Sequence, residues 1–86
     1  MPAPLIFYSR SDCGLCNVMI AQLNELRARG LLSFVVVDIQ DRPDLEARYG
    51  EWVPVLMAGD NELCHYHLDK AALDAWLADT GTHAER

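Results

Sequence analysis

At 86 residues the chain is the size of one small domain, and its 51% hydrophobic and 23% charged residues strike an ordinary globular balance that argues against disorder. A net charge of −6, with no basic stripe and no Lys/Arg cluster interleaved with aromatics, argues against a nucleic-acid surface. No apolar run approaches membrane-spanning length, and Met1-Pro2-Ala3-Pro4 lacks the basic and apolar segments of a signal peptide, so a cytoplasmic protein without membrane contact is expected.

Leu5-Ile6-Phe7-Tyr8 is a short continuous apolar run, as in a strand buried on both faces. Ser9 to Asp12 breaks that pattern, and Ser11 and Asp12 are both good N-cap residues for a helix beginning near Cys13. Cys16, Met19, Ile20, Leu23 and Leu26 then recur at helical spacing, Glu25 is placed to pair with Arg29, and Gly30 stops the helix. Leu32 to Val37 is rich in β-branched residues. Following a strand and a helix, it predicts a right-handed crossover to a parallel strand ended by Asp38.

Asp41-Arg42-Pro43-Asp44 offers a capping candidate and a proline suited to a first helical turn, with Gly50 terminating a short helix. Trp52-Val53-Pro54-Val55-Leu56-Met57 reads as a strand entered through an X-Pro bond. Ala58-Gly59-Asp60-Asn61 is turn chemistry leading back along Glu62 to Tyr66, which makes an antiparallel hairpin. Asp69 caps a last helix with Ala72, Leu73, Trp76 and Leu77 on one face, expected to end at Gly81 and to leave residues 80–86 as a polar tail. There is no internal repeat and no linker, so residues 1–86 are expected to form one domain.

The chemistry concentrates at Cys13-Gly14-Leu15-Cys16, where the first strand hands over to the first helix. A cysteine there sits among the unpaired N–H groups of a helix N-terminus, whose partial positive charge favours thiolate over thiol. A second cysteine one turn along, on the same side, is placed to attack a mixed disulfide formed at the first. Cys13 is therefore the expected nucleophile and Cys16 the expected resolving residue. The helix terminus and Arg10 favour the Cys13 thiolate while Asp12 opposes it, which points to the less acidic end of the roughly 3.5 to 7.5 range of such thiols. An odd count of three cysteines is no disulfide framework, and in a reducing compartment a Cys-x-x-Cys pair reads as catalytic or metal-binding.

The order β-α-β-α-β-β-α, with Cys-x-x-Cys at the first junction and Val53-Pro54 opening the third strand, resembles the thioredoxin fold at its minimal, glutaredoxin size. Tyr8 to Cys16, Val37-Asp38-Ile39, Tyr49-Gly50-Glu51-Trp52-Val53-Pro54-Val55-Leu56 and Asp69…Leu73…Trp76-Leu77 together resemble the small bacterial glutaredoxin-like family, over nearly the whole chain. The resemblance implies an α/β fold with a four-stranded mixed sheet, and Pro54 in the cis form beside the cysteines. It further implies a thiol-disulfide oxidoreductase acting on disulfide-containing proteins or small thiols. Arg10, Trp52, Val53 and Pro54 are the expected substrate-binding residues, Val53 offering free main-chain groups to an extended substrate. No bound cofactor and no metal is expected, and a monomer is expected because no apolar stripe beyond the core demands a partner.

The chain departs from glutaredoxins proper at one place. Where they carry a Gly-Gly turn and an acidic residue that hold glutathione, it has His65-Tyr66-His67-Leu68 before Asp69, bulky residues that argue against a glutathione site while leaving glutathione open as a reductant. Cys64 reads as a buried free cysteine, His65 and His67 as strand-end residues facing solvent or packing locally, and Tyr8 as a core aromatic before a groove residue. Two rival functions stand beside the redox one. One is a redox-inactive module that holds an extended peptide between Cys13 and Val53-Pro54. The other is a metal carrier through Cys13, Cys16 and a histidine.

Overall fold

A central strand with apolar residues on both faces organises the molecule. The computed structural model describes residues 4–84, so Met1-Pro2-Ala3 and the last two positions of the expected tail lie outside the described residues. The elements are β1 (Leu5–Ser9), α1 (Gly14–Ala28), β2 (Phe34–Asp38), α2 (Pro43–Tyr49), β3 (Val55–Ala58), β4 (Asn61–His65) and α3 (Lys70–Ala84). They form one four-stranded sheet in the order β2-β1-β3-β4. β2 runs parallel to β1, and β3 pairs antiparallel with both β1 and β4, so the expected mixed sheet and βαβ crossover are present.

Period-2 alternation along β1 sends its side chains into two cores. Leu5 and Phe7 join Phe34, Leu56 and Cys64 from the sheet, Cys16, Met19 and Leu23 from α1, and Leu73 from α3. On the other face Ile6 and Tyr8 pack against Ile39, Tyr49, Val55 and Met57, with Leu45 of α2. Burying each large apolar side chain contributes about 1.5–3 kcal/mol, and these two clusters fix α1 and α3 on one face and α2 on the other. Phe7 meets Phe34 edge-on at 6.4 Å, and Tyr8 stacks on Tyr49 at 4.2 Å. Tyr8 is thus a core residue of the α2 face, as its sequence context suggests. β2 is an edge strand, leaving Val35 and Val36 about half exposed.

Several boundaries differ from expectation for local reasons. α1 ends as predicted at Gly30, whose φ of +75° lets its N–H bond Arg27 O and the Leu31 N–H bond Leu26 O. The expected Glu25–Arg29 pair does not form. Arg27 instead donates to Asn24 Oδ1 at 2.6 Å and lies over the Phe34 ring. α2 starts at Pro43 without a side-chain cap, its N-cap position being Arg42. β3 begins at Val55, not Trp52, because Pro54 has no N–H for the ladder and Trp52 N closes a turn onto Tyr49 O at 2.8 Å. The hairpin turns through Gly59 at φ +62°, and Leu63 is an extra residue bulged between the Leu56–Cys64 and Met57–Glu62 pairs. Asp69 caps α3 through Oδ1 to Ala72 N at 3.0 Å, as expected. Gly81 does not end that helix, which continues to Ala84 and takes in most of the segment expected as a tail; a glycine costs a helix only about 1 kcal/mol.

Candidate functional site

β1 ends at Ser9, and the chain then turns through Asp12, at φ +60°, into the first turn of α1. The residue at the helix boundary is not Ser11 or Asp12 but Cys13 itself. Cys13 is extended at φ −113° and ψ 108°, its carbonyl accepts the first helical bond from Asn17 N at 3.1 Å, and its Sγ accepts from Cys16 N at 3.1 Å. The sulfur therefore takes the place of an N-cap oxygen, satisfying one of the orphan donors of the helix start. No acidic side chain stands in the first turn of α1, so the helix terminus meets the sulfur without an internal carboxylate competing for it.

Cys13 and Cys16 lie with their sulfurs at disulfide distance and their Cα atoms 5.1 Å apart. Their exposures differ in a useful direction. Cys16 is 3% exposed and belongs to the α1–α3 core, whereas Cys13 only packs against that core and keeps part of its surface open. Gly14 has open space where a side chain would stand, and Leu15 is exposed beside it. Arg10 is engaged on the α2 side, where its guanidinium lies 3.5 Å from Glu46.

The register of the sheet places the entry to β3 beside the end of β1. Tyr8 of β1 pairs with Val55 of antiparallel β3, so Val53 and Pro54, just ahead of Val55, run alongside the Ser9-Arg10 segment that leads to Cys13. The Val53–Pro54 peptide bond is cis. Pro54 is fully buried and its carbonyl accepts from Tyr66 N at 3.0 Å, whereas ladder pairing begins only at Val55 and leaves Val53 outside it. Val53 and Cys13 both pack against the α1–α3 core. Cys13, Cys16, Val53, Pro54 and Trp52 thus lie at one end of the sheet, and Arg10 sits at its α2 side.

One contact at this end is not predicted from the sequence. Trp52 is 46% exposed and is held by His65, whose ring meets it edge-on at 5.3 Å, and by Tyr66 at 6.0 Å. Tyr66, at φ +64°, donates its hydroxyl to Glu51 O at 2.8 Å, and His65 Nδ1 lies 2.7 Å from Glu62 Oε2. His65 therefore packs locally, while His67 is exposed. Only the crowding of aromatic residues at 52, 65 and 66 hinted at this cluster. Among the described residues no three His, Cys, Asp or Glu side chains converge as a metal site would require. Cys64 is buried and unpaired, and burial pushes its thiol above the usual value. No helix among the described residues is long and apolar enough to cross a membrane.

Comparison with known proteins follows the same lines. A family model for the glutaredoxin-like domain (DUF836) matches residues 4–78. The solution structure of protein Ne2328 from Nitrosomonas europaea is 38% identical, with 88% of this chain and 92% of that one covered at a TM-score of 0.77. The X-ray structure of protein XcR50 from X. campestris is also 38% identical, over 87% of this chain and 96% of that one, with a TM-score of 0.69. Thioredoxin 1 from Thermosipho africanus TCF52B, at 12% identity and a TM-score of 0.60 over 92% and 99% of the two chains, shares the fold alone. No curated protein matches the sequence. With its dithiol pair at the head of α1 and a family match spanning nearly all of its described length, the chain belongs to the glutaredoxin-like domain family and carries a minimal α/β fold of the thioredoxin type.

Proposed function

We propose that the chain is a dithiol-disulfide oxidoreductase in which Cys13 is the nucleophile and Cys16 the resolving thiol. The observation that carries this reading is the Cys16 N–H donated to Cys13 Sγ at 3.1 Å at a helix start. Once the pair is reduced, a donor so placed favours the charged form of the sulfur, the form that attacks disulfides. The Cys13 thiolate attacks one sulfur of a substrate disulfide, forming a new S–S bond and expelling the other sulfur as a thiolate that takes up a proton. Cys16, losing its proton, then attacks Cys13 Sγ, releases the second substrate thiol and leaves the Cys13–Cys16 disulfide. Two electrons pass from the protein dithiol to the substrate, and an external dithiol or thiol reductant returns them. The burial difference supports this division of labour, since the partly exposed sulfur meets the substrate and the buried one meets only Cys13.

Trp52 and Val53, with the buried Pro54 holding them from behind, form the wall against which an extended substrate lies, Val53 offering main-chain groups in the manner of strand addition. Arg10 flanks the entrance. The reaction requires no bound cofactor or metal, and a monomer acting on disulfide-bearing proteins or small thiols in the reducing cytoplasm fits the cysteine usage. Glutathione or a thioredoxin reductase supplies the electrons. Reduction of insulin and of a glutathione mixed disulfide, each driven by either reductant, tests the whole reading. Cys13→Ser is expected to abolish turnover, and Cys16→Ser to accumulate a covalent mixed disulfide visible by mass spectrometry. Full activity of Cys13→Ser would overturn it.

A further inference from the structure

Outside the dithiol, a cleft of about 370 Å³ opens between the end of α2 and the β3–β4 hairpin, lined by Arg48, Tyr49, Trp52, Met57, Asp60, Glu62 and His65. Tyr49 and Met57, each 8% exposed and part of the α2-face core, lie at its base. Trp52 stands at its edge as an exposed indole, oriented by His65. The charges at its rim are segregated. Asp60 and Glu62, both exposed, lie on the hairpin side, Glu62 with one carboxylate oxygen on His65 Nδ1 and the other open, and Arg48 lies on the α2 side with its guanidinium over the Tyr49 ring at 5.6 Å.

We propose that this cleft is a docking subsite for a basic side chain, arginine above all, carried by the polypeptide whose disulfide the dithiol reduces. An arginine's planar guanidinium stacks on an indole and forks onto carboxylates, and its alkyl stem covers apolar surface, which matches Trp52, the Asp60 and Glu62 carboxylates, and Met57 in turn. Trp52 adjoins Val53 in the chain and also lines the cleft, so the cleft borders the segment along which an extended substrate is proposed to lie. The net charge of −6 favours the approach of a basic partner to the molecule as a whole. The inference names the substrate class of the proposed reaction and rests on it for why the peptide bears a disulfide. The docking itself requires no cysteine chemistry.

The test therefore uses the full chain as the Cys13→Ser/Cys16→Ser variant, which binds but does not react. Short peptides with a central serine flanked by arginines, alanines or glutamates are titrated into it by calorimetry. The arginine peptide is expected to bind about tenfold more tightly than the glutamate peptide, a preference that shrinks as salt is raised. Asp60→Asn/Glu62→Gln is expected to bring the two peptides to within about twofold of each other. Arg48→Gln, which removes the opposing charge, is expected to tighten the arginine peptide by about twofold. Equal affinity for all three peptides, no binding of any, or a charge preference untouched by Asp60→Asn/Glu62→Gln would each overturn the proposal. A charge preference that persists while Cys13 proves dispensable for turnover would instead sink the redox reading and keep the subsite.

Discussion

Three cysteines in one small chain are given three different chemistries by their surroundings. Cys13 is held at a helix start with a backbone N–H on its sulfur, Cys16 is buried one turn on, and Cys64 is buried on β4 with its thiol pushed up chiefly by loss of solvent. Thiolate fraction and access control reactivity, so Cys64 is expected to stay inert. In the reduced native protein, iodoacetamide near neutral pH should label Cys13 fast and Cys64 only after denaturant is added. Mass mapping of the labelled sites checks this, and native labelling of Cys64 would show that β4 opens. The Cys64 sulfur also takes a backbone hydrogen bond from Asp69, so Cys64→Ser, which keeps an acceptor there inside an apolar cluster, and Cys64→Ala, which loses it, are expected to differ by less than about 1 kcal/mol. Urea unfolding of the two variants measures the difference.

At the scale of elements, local signals fixed most of the architecture where they act alone and failed where a neighbour competes. Gly30 and Asp69 were legible because a left-handed turn and a helix cap follow from one residue type each, and both do what their chemistry implies. Gly30→Ala is expected to cost about 1–2 kcal/mol. A Cβ there meets open space, so the cost is the backbone conformation alone, and a loss near 4 kcal/mol would mean a contact the geometry does not contain. Asp69→Ala removes one cap and should cost about 1 kcal/mol, a fall of roughly 4–8 °C in Tm for a domain of this size. The N-cap of α1 was not legible in the same way. Ser11 and Asp12 are better caps than cysteine in general, yet the turn into the helix takes Asp12 to a positive φ and leaves Cys13 at the boundary. The Trp52–His65–Tyr66 cluster was missed for a related reason. It joins a loop before β3 to the end of β4, and only the hairpin register brings those residues together. The cysteine pair at the head of α1 and the Val53-Pro54 entry to β3 were visible from the chain because they depend on element order, whereas the cleft beyond Trp52 depends on which side chains the hairpin turns toward α2.

For the whole molecule, two acidic side chains on opposite faces of the sheet tie stability to alkaline pH. Tyr8 titrates above the usual tyrosine value, first because it is partly buried and then because Tyr49 stands against it, while Arg48 and Arg42 pull weakly the other way. Cys64 titrates above the usual thiol value, again chiefly through burial. Each group is neutral when protonated, and each holds its proton more tightly folded than unfolded. Their contribution is therefore fully present below the unfolded-state values, about 9 for the thiol and 10 for the phenol. Above those values the unfolded chain ionises first and is stabilised relative to the folded one, so stability falls as pH rises from about 9 through the folded-state values. Both cores should loosen together, since Cys64 belongs to the α1–α3 face and Tyr8 to the α2 face of one sheet. Urea unfolding at neutral pH and at steps above pH 9 is expected to show a plateau followed by a decline. Tyr8→Phe/Cys64→Ala, though less stable at neutral pH, should show a shallower decline. A slope unchanged in that double variant would place the alkaline sensitivity in general repulsion among the acidic side chains and not in these two buried protons.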